Sequence, residues 1–246
     1  ETIEARNALL AVLGKQPYLK SMLHGPSKFV VGIVFNPDGK TLIAKGFGSI
    51  FLWDLQTYRT IAELKEYING VALSPDGQIL ATANSDKTIT LRNPKDLKPL
   101  ELPVIETKAE PFTIAFNPSG EILLWIRSDN TIILWDLERH RPLGPPLKGQ
   151  PKFMSRFAFS PDGHIFAWTD TDKSICLWDL KTQKPLGKPL TGHRNAITSL
   201  VFSPSGQILA TASEDNTIIL WDLKTRKALG APLNGHQGKI ALLAVS

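Results

Sequence analysis

Short apolar runs, each bounded by tight-turn residues, recur along this chain. The clearest set is ITSLVF at 197–202, ILATAS at 208–213 and TIILWD at 217–222, which we call strands a, b and c. S-P-S-G separates a from b, with Pro at the second turn position and Gly at the fourth, where a β-turn favours them. A run rich in Pro and Leu, ALGAPL at 228–233, follows as strand d. Because Pro cannot donate to a strand ladder, strand d is predicted at a sheet edge.

This unit repeats at a nearly constant interval. The Pro of the S/N-P-D/S-G turn falls at Pro37, Pro75, Pro118, Pro161 and Pro204, in steps of 38, 43, 43 and 43 residues. A W-D dipeptide closes strand c at Trp53, Trp135, Trp178 and Trp221, and Arg92-Asn93 takes its place in the second unit. A GH…WD frame with this period resembles WD-repeat β-propellers, in which each repeat supplies one four-stranded blade.

We therefore predict an all-β propeller over residues 26–246, preceded by a helical linker at 1–25. The predicted blades are 29–65, 69–106, 112–149, 155–191 and 197–234, and residues 235–246 are predicted to begin a sixth with one strand. Five blades and one strand make an incomplete ring, so the chain is not expected to close on itself, and its open blade edges are expected to favour association.

A narrower resemblance is carried by EARNALLAVLGKQPYLKSMLHG, the VFNPDG that follows, and R-P-L-G-P-P-L at 141–147. These segments resemble the propeller portion of large bacterial signal-transduction ATPases of the NACHT/STAND type. The resemblance implies a cytoplasmic sensor or scaffold arm, with the ATPase outside this chain.

Composition adds limits rather than a function. Apolar residues make up 42%, no apolar run approaches the length of a membrane helix, and the net charge of +5 is interspersed. The one cysteine, Cys176, cannot form an internal disulfide, which fits a reducing compartment, and is predicted to be a buried structural thiol.

One group of residues contains the types found in hydrolase triads: His193, Thr211, Ser213, Asp215 and Trp221. By resemblance to WD repeats, these residues form a buried structural hydrogen-bond network. The chemistry is consistent, since a donor-only indole and an acceptor-only carboxylate can be joined through a hydroxyl and an imidazole. No G-x-S-x-G elbow accompanies them, so we predict no catalytic residues.

The third and fourth units lack the His and carry Trp125 and Trp168 at the position of Thr211. We predict that both indoles are buried near Trp135 and Trp178, and that packing replaces the polar relay. No phosphate loop, dinucleotide fingerprint or metal-ligand spacing is present, so no cofactor and no metal is expected.

Three functions remain open, of which protein binding by a non-catalytic scaffold is favoured. A propeller enzyme or small-ligand binder would need polar side chains near the axis, and strands a are mostly apolar there. A nucleic-acid binder would need a basic face with stacking aromatics, for which Arg127, Lys152, Arg156 and Lys173 are the candidates.

A partner site is predicted on the face built by the d–a loops and b–c turns, because these vary between repeats while the S-P-D-G and D-L-x-T turns do not. Aromatic, Met and Arg side chains are enriched at binding hot spots. The candidates are Phe47, Tyr67, Phe153, Met154 and Arg156.

Overall fold

The computed structural model describes Leu23 and residues 30–46, 48–148, 156–170 and 173–244. All the regular secondary structure within these ranges is β-strand, and the strands form five antiparallel sheets. This confirms the predicted all-β class with five four-stranded blades. The helical linker predicted at 1–25 lies outside the described residues, apart from Leu23, which has no regular structure.

Sheets 1 and 2 each contain four strands in chain order. Sheet 1 consists of β1 (Val30–Phe35), β2 (Thr41–Gly46), β3 (Ile50–Asp54) and β4 (Thr60–Leu64). Sheet 2 consists of β5 (Ile68–Leu73), β6 (Leu80–Asn84), β7 (Thr88–Arg92) and β8 (Ile105–Glu106).

Sheets 3, 4 and 5 repeat the order with shorter outer strands. Sheet 3 holds β9 (Pro111–Phe116), β10 (Ile122–Arg127), β11 (Thr131–Asp136), β12 (Arg141–Pro142) and β13 (Leu147–Lys148). Sheet 4 holds β14 (Phe157–Phe159), β15 (Ile165–Thr169), β16 (Ser174–Asp179), β17 (Lys184–Pro185) and β18 (Leu190–Thr191). Sheet 5 holds β19 (Ile197–Phe202), β20 (Ile208–Ser213), β21 (Ile218–Asp222) and β22 (Lys227–Ala228).

Strand d is interrupted in sheets 3 and 4 by the Pro- and Gly-rich sequence that predicted it. In sheet 3, β12 and β13 both pair with β11, and residues 143–146 leave the ladder between them. In sheet 4, β17 and β18 pair with β16 in the same way. The outer edge is therefore a broken strand, as expected where prolines remove backbone donors.

The a–b turns are tight and bring neighbouring sheets together. Gly77 has a φ of 69°, in the left-handed region that glycine adopts without steric cost. A Cβ at Gly77 would lie 2.4 Å from Asn36 Oδ1 of the preceding turn, so this turn also needs glycine for close approach.

The core lies between successive sheets rather than within any one of them. Four apolar clusters fill the gaps between sheets 1 and 2, 2 and 3, 3 and 4, and 4 and 5. A single four-stranded sheet cannot bury both its faces, so the stack is the unit of stability. At the first end of the stack, Ile33 and Phe35 of β1 are 59% and 60% exposed.

The described C-terminal residues lie beside sheet 5 and not beside sheet 1. The Thr198 hydroxyl donates to the carbonyl of Ile240, and the Leu243 N–H donates to Ser199 Oγ over 3.1 Å. Residues 234–244 form no strand, so the single strand predicted for a sixth blade is not present as such. The reason is that side-chain hydroxyls, not a backbone ladder, hold this segment against β19. No described strand pairs with a strand of another sheet, so whether the ring closes stays a prediction.

Candidate functional site

The structure brings four of the five predicted network residues into direct contact in sheet 5. His193 precedes β19, Thr211 lies on β20 and Trp221 on β21. Thr211 Oγ1 lies 2.9 Å from His193 Nε2 and accepts a 2.9 Å hydrogen bond from Trp221 Nε1–H. His193 Nδ1 lies 3.1 Å from Asp215 Oδ2. A neutral His193 with its proton on Nδ1 satisfies every member, since Nε2 then accepts from the Thr211 hydroxyl.

Asp215 is the last residue of this hydrogen-bond network, and its side chain is an ionised carboxylate. Its burial acts to raise its pKa, but hydrogen bonds from the Thr217 hydroxyl, the Arg194 N–H and His193 outweigh burial and hold the pKa well below its ordinary value of 3.8. The Arg194 N–H donates to Oδ2 over 2.7 Å, and the Thr217 hydroxyl donates to Oδ1 over 2.6 Å. A charge with this many donors is stable in a mostly buried position.

Ser213, the fifth residue, is not part of the relay. Its hydroxyl donates to the Asn195 carbonyl over 3.0 Å and accepts from the Asp215 N–H over 3.1 Å. The hydroxyl against the imidazole is that of Thr211, whose side chain is fully buried. A nucleophile there would have no access to substrate, so the geometry does not build a Ser–His pair.

Thr217 is a network member that the sequence reasoning missed. Besides its bond to Asp215, its Oγ1 lies 3.3 Å from His193 Nδ1. The available signal was a D-x-T triplet in the b–c turn, which recurs at Asp86–Thr88 and Asp129–Thr131. The middle residue has a positive φ each time, which points the two side chains toward each other.

Sheet 2 fills the same positions with an ion pair. Arg92 replaces the Trp, and its Nε–H donates to Thr82 Oγ1 over 3.2 Å, as the indole of Trp221 does to Thr211. The guanidinium also donates to the Leu97 carbonyl over 3.2 Å and to Glu66 Oε2 over 2.5 Å. The role of Glu66 as the partner of a buried arginine was not predicted, because Glu66 lies in a loop of variable sequence.

Sheets 3 and 4 fill these positions with aromatic rings, and Trp125 and Trp168 are buried as predicted, with 3% and 5% exposure. The Trp125 ring lies 5.8 Å from Trp135, whereas Trp168 stacks on Phe166 at 5.3 Å in the cluster that Trp178 packs against. The replacement of polar groups by packing is incomplete. The indole N–H groups of Trp125, Trp135, Trp168 and Trp178 are buried without a hydrogen-bond partner.

The predicted partner residues are placed only in part. Phe47, Phe153 and Met154 lie outside the described residues. Arg156 is half-buried, and its backbone N–H donates to Thr169 Oγ1 over 3.2 Å. Tyr67, in the loop before β5, is 78% exposed, which is an unusual position for a large aromatic side chain.

Tyr67 stands between two surface cavities of about 440 and 360 Å³ and lines both. The first also contains Glu66, Asn84, Asp86 and Arg92. The second also contains Val31, Lys45, Asn69, Glu110 and Phe112. Both open at the end of the sheets where the d–a loops and b–c turns meet. Tyr67 thus offers an aromatic ring between two depressions whose linings combine polar and apolar groups.

Three residues of the second cavity are joined to one another by hydrogen bonds. Lys45 Nζ donates to the Asn69 carbonyl over 2.6 Å, and Asn69 Nδ2 donates to Glu110 Oε1 over 2.9 Å. Partial burial lowers the pKa of Lys45 below its ordinary value. These contacts join sheets 1, 2 and 3 and hold the loops around Tyr67 in one arrangement.

The described ranges hold the one cysteine of the chain and most of its histidines and carboxylates. No group of three or more His, Cys, Asp or Glu side chains there is placed to hold a metal ion. Burial raises the pKa of the Cys176 thiol to about 12, so it stays protonated at neutral pH. Nor do these ranges contain a helix with the length and apolar character needed to cross a bilayer.

Comparison with known families agrees with this architecture. The family described as "WD domain, G-beta repeat" matches residues 57–93, 146–179 and 183–222. Each match begins near the outer strand of one sheet and ends at strand c of the next, so each repeat joins two neighbouring sheets. No curated protein matches the chain. Three segments of the chain match the WD40 repeat, and the five four-stranded antiparallel sheets are consistent with a β-propeller fold.

Proposed function

We propose that this chain is a non-catalytic protein-binding module whose partner site is the face of d–a loops and b–c turns, with Tyr67 at its centre. The observation that carries the proposal is the exposed Tyr67 ring between two cavities on loops held by cross-sheet hydrogen bonds. Tyr is enriched at binding hot spots because it combines a large apolar surface with a hydroxyl and few rotatable bonds. WD40 repeats generally mediate protein–protein interaction.

The His193 network has a structural role in this proposal. Its members satisfy one another, and the hydroxyl and indole at its inner end are buried. It fixes the loop before β19 to the b–c turn of sheet 5, on the same face as Tyr67. A rigid loop surface loses little conformational entropy when a partner binds.

The basic-face alternative loses one of its candidate residues. Arg127 is paired with Asp129 over 2.7 Å, and its side chain is only 11% exposed, so it is not a free phosphate ligand.

The resemblance to the propeller portion of NACHT/STAND-type ATPases leads us to propose further that the module is a cytoplasmic sensor arm of a bacterial signalling protein.

The proposal is tested by quantitative capture of partners from a lysate of the source cells. Tyr67→Ala should remove a partner that the parent chain retains. Phe47→Ala, Phe153→Ala, Met154→Ala and Arg156→Ala should weaken its capture. Tyr58→Asn is the matched control, because Tyr58 is a 42% exposed tyrosine at the opposite end of the sheets and Asn tolerates its positive φ. A partner retained by Tyr67→Ala but lost on Tyr58→Asn would place the site on the wrong face.

A further inference from the structure

The c–d turns carry a periodic feature that the proposed site does not use. Each turn contains a non-glycine residue with positive φ, namely Tyr58, Leu97, His140, Gln183 and Arg226. The residue that follows it, at the start of strand d, is basic in all five sheets: Arg59, Lys98, Arg141, Lys184 and Lys227. All five of these basic residues are exposed.

These turns hold most of the net charge of the chain. The five hexapeptides 54–59, 93–98, 136–141, 179–184 and 222–227 contain ten of the 28 basic residues and six of the 23 acidic residues. Thirty residues therefore supply four of the five net positive charges, and the rest of the chain is nearly neutral. The excess charge is concentrated at the outer rim.

The basic residues in this row are largely unpaired. Among the described residues, only Lys98 of the five makes an ion pair, at 3.6 Å from Asp96. The neighbouring carboxylates are engaged by their own turns. Asp179 Oδ1 accepts the N–H groups of Lys181 and Thr182, both over 2.8 Å. The other four cations at the start of strand d are thus available to meet an external anion.

The row is continuous from one sheet to the next. A Cβ built on Gly144 of sheet 3 would lie 2.9 Å from Gln183 Oε1 of the sheet 4 turn. A Cβ on Gly187 of sheet 4 would collide with the guanidinium of Arg226 in the sheet 5 turn. The c–d turns of sheets 4 and 5 therefore rest on the outer strand of the sheet before them, and the row is continuous across sheets 3 to 5.

Between sheets 4 and 5 the row borders a cleft of about 660 Å³. Lys188, Arg226 and Lys227 line it together with Pro189, Leu190 and Trp221. Leu229, just beyond it along the chain, is 45% exposed. Three cations and an exposed leucine therefore lie along this part of the rim.

We propose that this basic rim row binds an acidic segment of a protein partner, one that carries leucine-like side chains between its carboxylates. The exposed Leu229 beside these cations favours a polypeptide over a nucleic acid. The outer strands and c–d turns of sheets 3 to 5 also have no exposed Phe, Tyr or Trp among their described residues for bases to stack on. This second surface lies at the rim, away from Tyr67, so it can act independently of the proposed partner face.

The test uses the full chain and a fluorescently labelled peptide rich in Asp and Glu with interspersed leucines, followed by polarisation at low salt. The triple variant Arg141→Gln, Lys184→Gln, Lys227→Gln should weaken binding about tenfold, since each exposed pair contributes a modest amount. The control triple Lys65→Gln, Lys108→Gln, Lys173→Gln removes the same charge from the other end of the sheets and should change binding less than twofold. Raising NaCl from about 0.05 to about 0.5 M should weaken the parent chain far more than the rim variant.

Three outcomes would overturn the proposal. Equal losses in the two triple variants would mean that only net charge matters. An absence of peptide binding at low salt would mean that the row has no such ligand. Tighter binding of a DNA duplex of equal charge, lost in the rim variant, would assign the row to nucleic acid. Thermal unfolding of both variants checks that the fold is retained.

Discussion

Sheets 4 and 5 are neighbours, and they fill the same position on strand b with different side chains. Sheet 5 has a hydrogen-bonded polar network there, and sheet 4 has packed aromatic rings. In sheet 5 the space between strand b and the loop before strand a holds the His193–Thr211–Trp221 relay, in which each polar atom has a partner. In sheet 4 the equivalent position on strand b holds Trp168, which stacks on Phe166 and whose indole N–H has no partner. The same strand positions accept either solution because the backbone frame is set by turns and strand pairing.

Sheet 2 shows a third solution. Arg92 donates to Thr82 as an indole would, and then extends to Glu66. The common requirement is a donor that reaches the strand b hydroxyl, and both indole and guanidinium supply one. Where strand b has no hydroxyl, as at Trp125 and Trp168, this requirement disappears and the strand c indole is left unpaired.

The largest loss of folding stability is expected when a packed indole on strand b is removed. Trp168→Ala should lower the free energy of unfolding by about 3–5 kcal/mol, because it leaves a large void between sheets 3 and 4. Urea denaturation measures the loss. Trp168→Phe is the matched control and should retain most of the stability. A loss below about 1 kcal/mol for Trp168→Ala would mean that packing at this position does not hold the sheets together.

The stability that the polar network of sheet 5 contributes should decrease in acid. Because the pKa of Asp215 is lower in the folded chain than its ordinary value of 3.8, its ionisation stabilises the fold above about pH 4, and this contribution falls as the pH drops further. Asp215→Asn should flatten this part of the stability profile and cost about 1–3 kcal/mol at neutral pH.

The control for this prediction is Asp129→Asn in the b–c turn of sheet 3, where the carboxylate is more exposed and bonds to no histidine. Its effect on the acid limb should be smaller. Urea unfolding of both variants between about pH 7 and pH 3 makes the comparison. An equal flattening by Asp129→Asn would show that the His193 network has no special part in the acid response.

The polar network of sheet 5 and the aromatic packing of sheet 4 can be compared by replacing one Trp with Phe in each sheet. Trp221→Phe removes the hydrogen bond to Thr211 and should cost about 1 kcal/mol more than Trp168→Phe, which removes only an unpaired N–H. Differential scanning calorimetry of the two variants gives the difference. Identical losses would mean that the bond to Thr211 contributes nothing net.

The smallest effect is expected in the c–d turns. Gln183 holds a φ of 54°, which costs energy for a residue with a side chain. Gln183→Gly should stabilise the chain by no more than about 1 kcal/mol, since glycine also gains entropy in the unfolded state. Lys181→Gly, two residues earlier, should instead destabilise it. A loss of stability in Gln183→Gly would show that the contact with the outer strand of sheet 3 outweighs the backbone strain.

Much of this architecture was predictable because its signals are local. Turn tetrapeptides, apolar runs and the position of Pro in strand d predicted five four-stranded sheets, and the equivalence of Thr211 with Trp168 predicted a buried indole. The Arg92–Glu66 pair was not predictable, because Glu66 lies in a loop of variable sequence and Arg92 replaces the Trp that the repeat has at this position. The missing strand at 239–244 was not predictable either, since its sequence matches strand a but side-chain hydroxyls from β19 take the place of backbone pairing.

The central claim is that the loop face around Tyr67 receives a protein partner, and hydrogen–deuterium exchange of the chain with and without a captured partner tests it most directly. The account predicts slower exchange at the loop before β5, the b–c turn after Asn84 and the residues around Glu110, with no change at the S-P-D-G turns. Protection confined to the S-P-D-G turns, with the Tyr67 loop exchanging as fast as in the free chain, would contradict it.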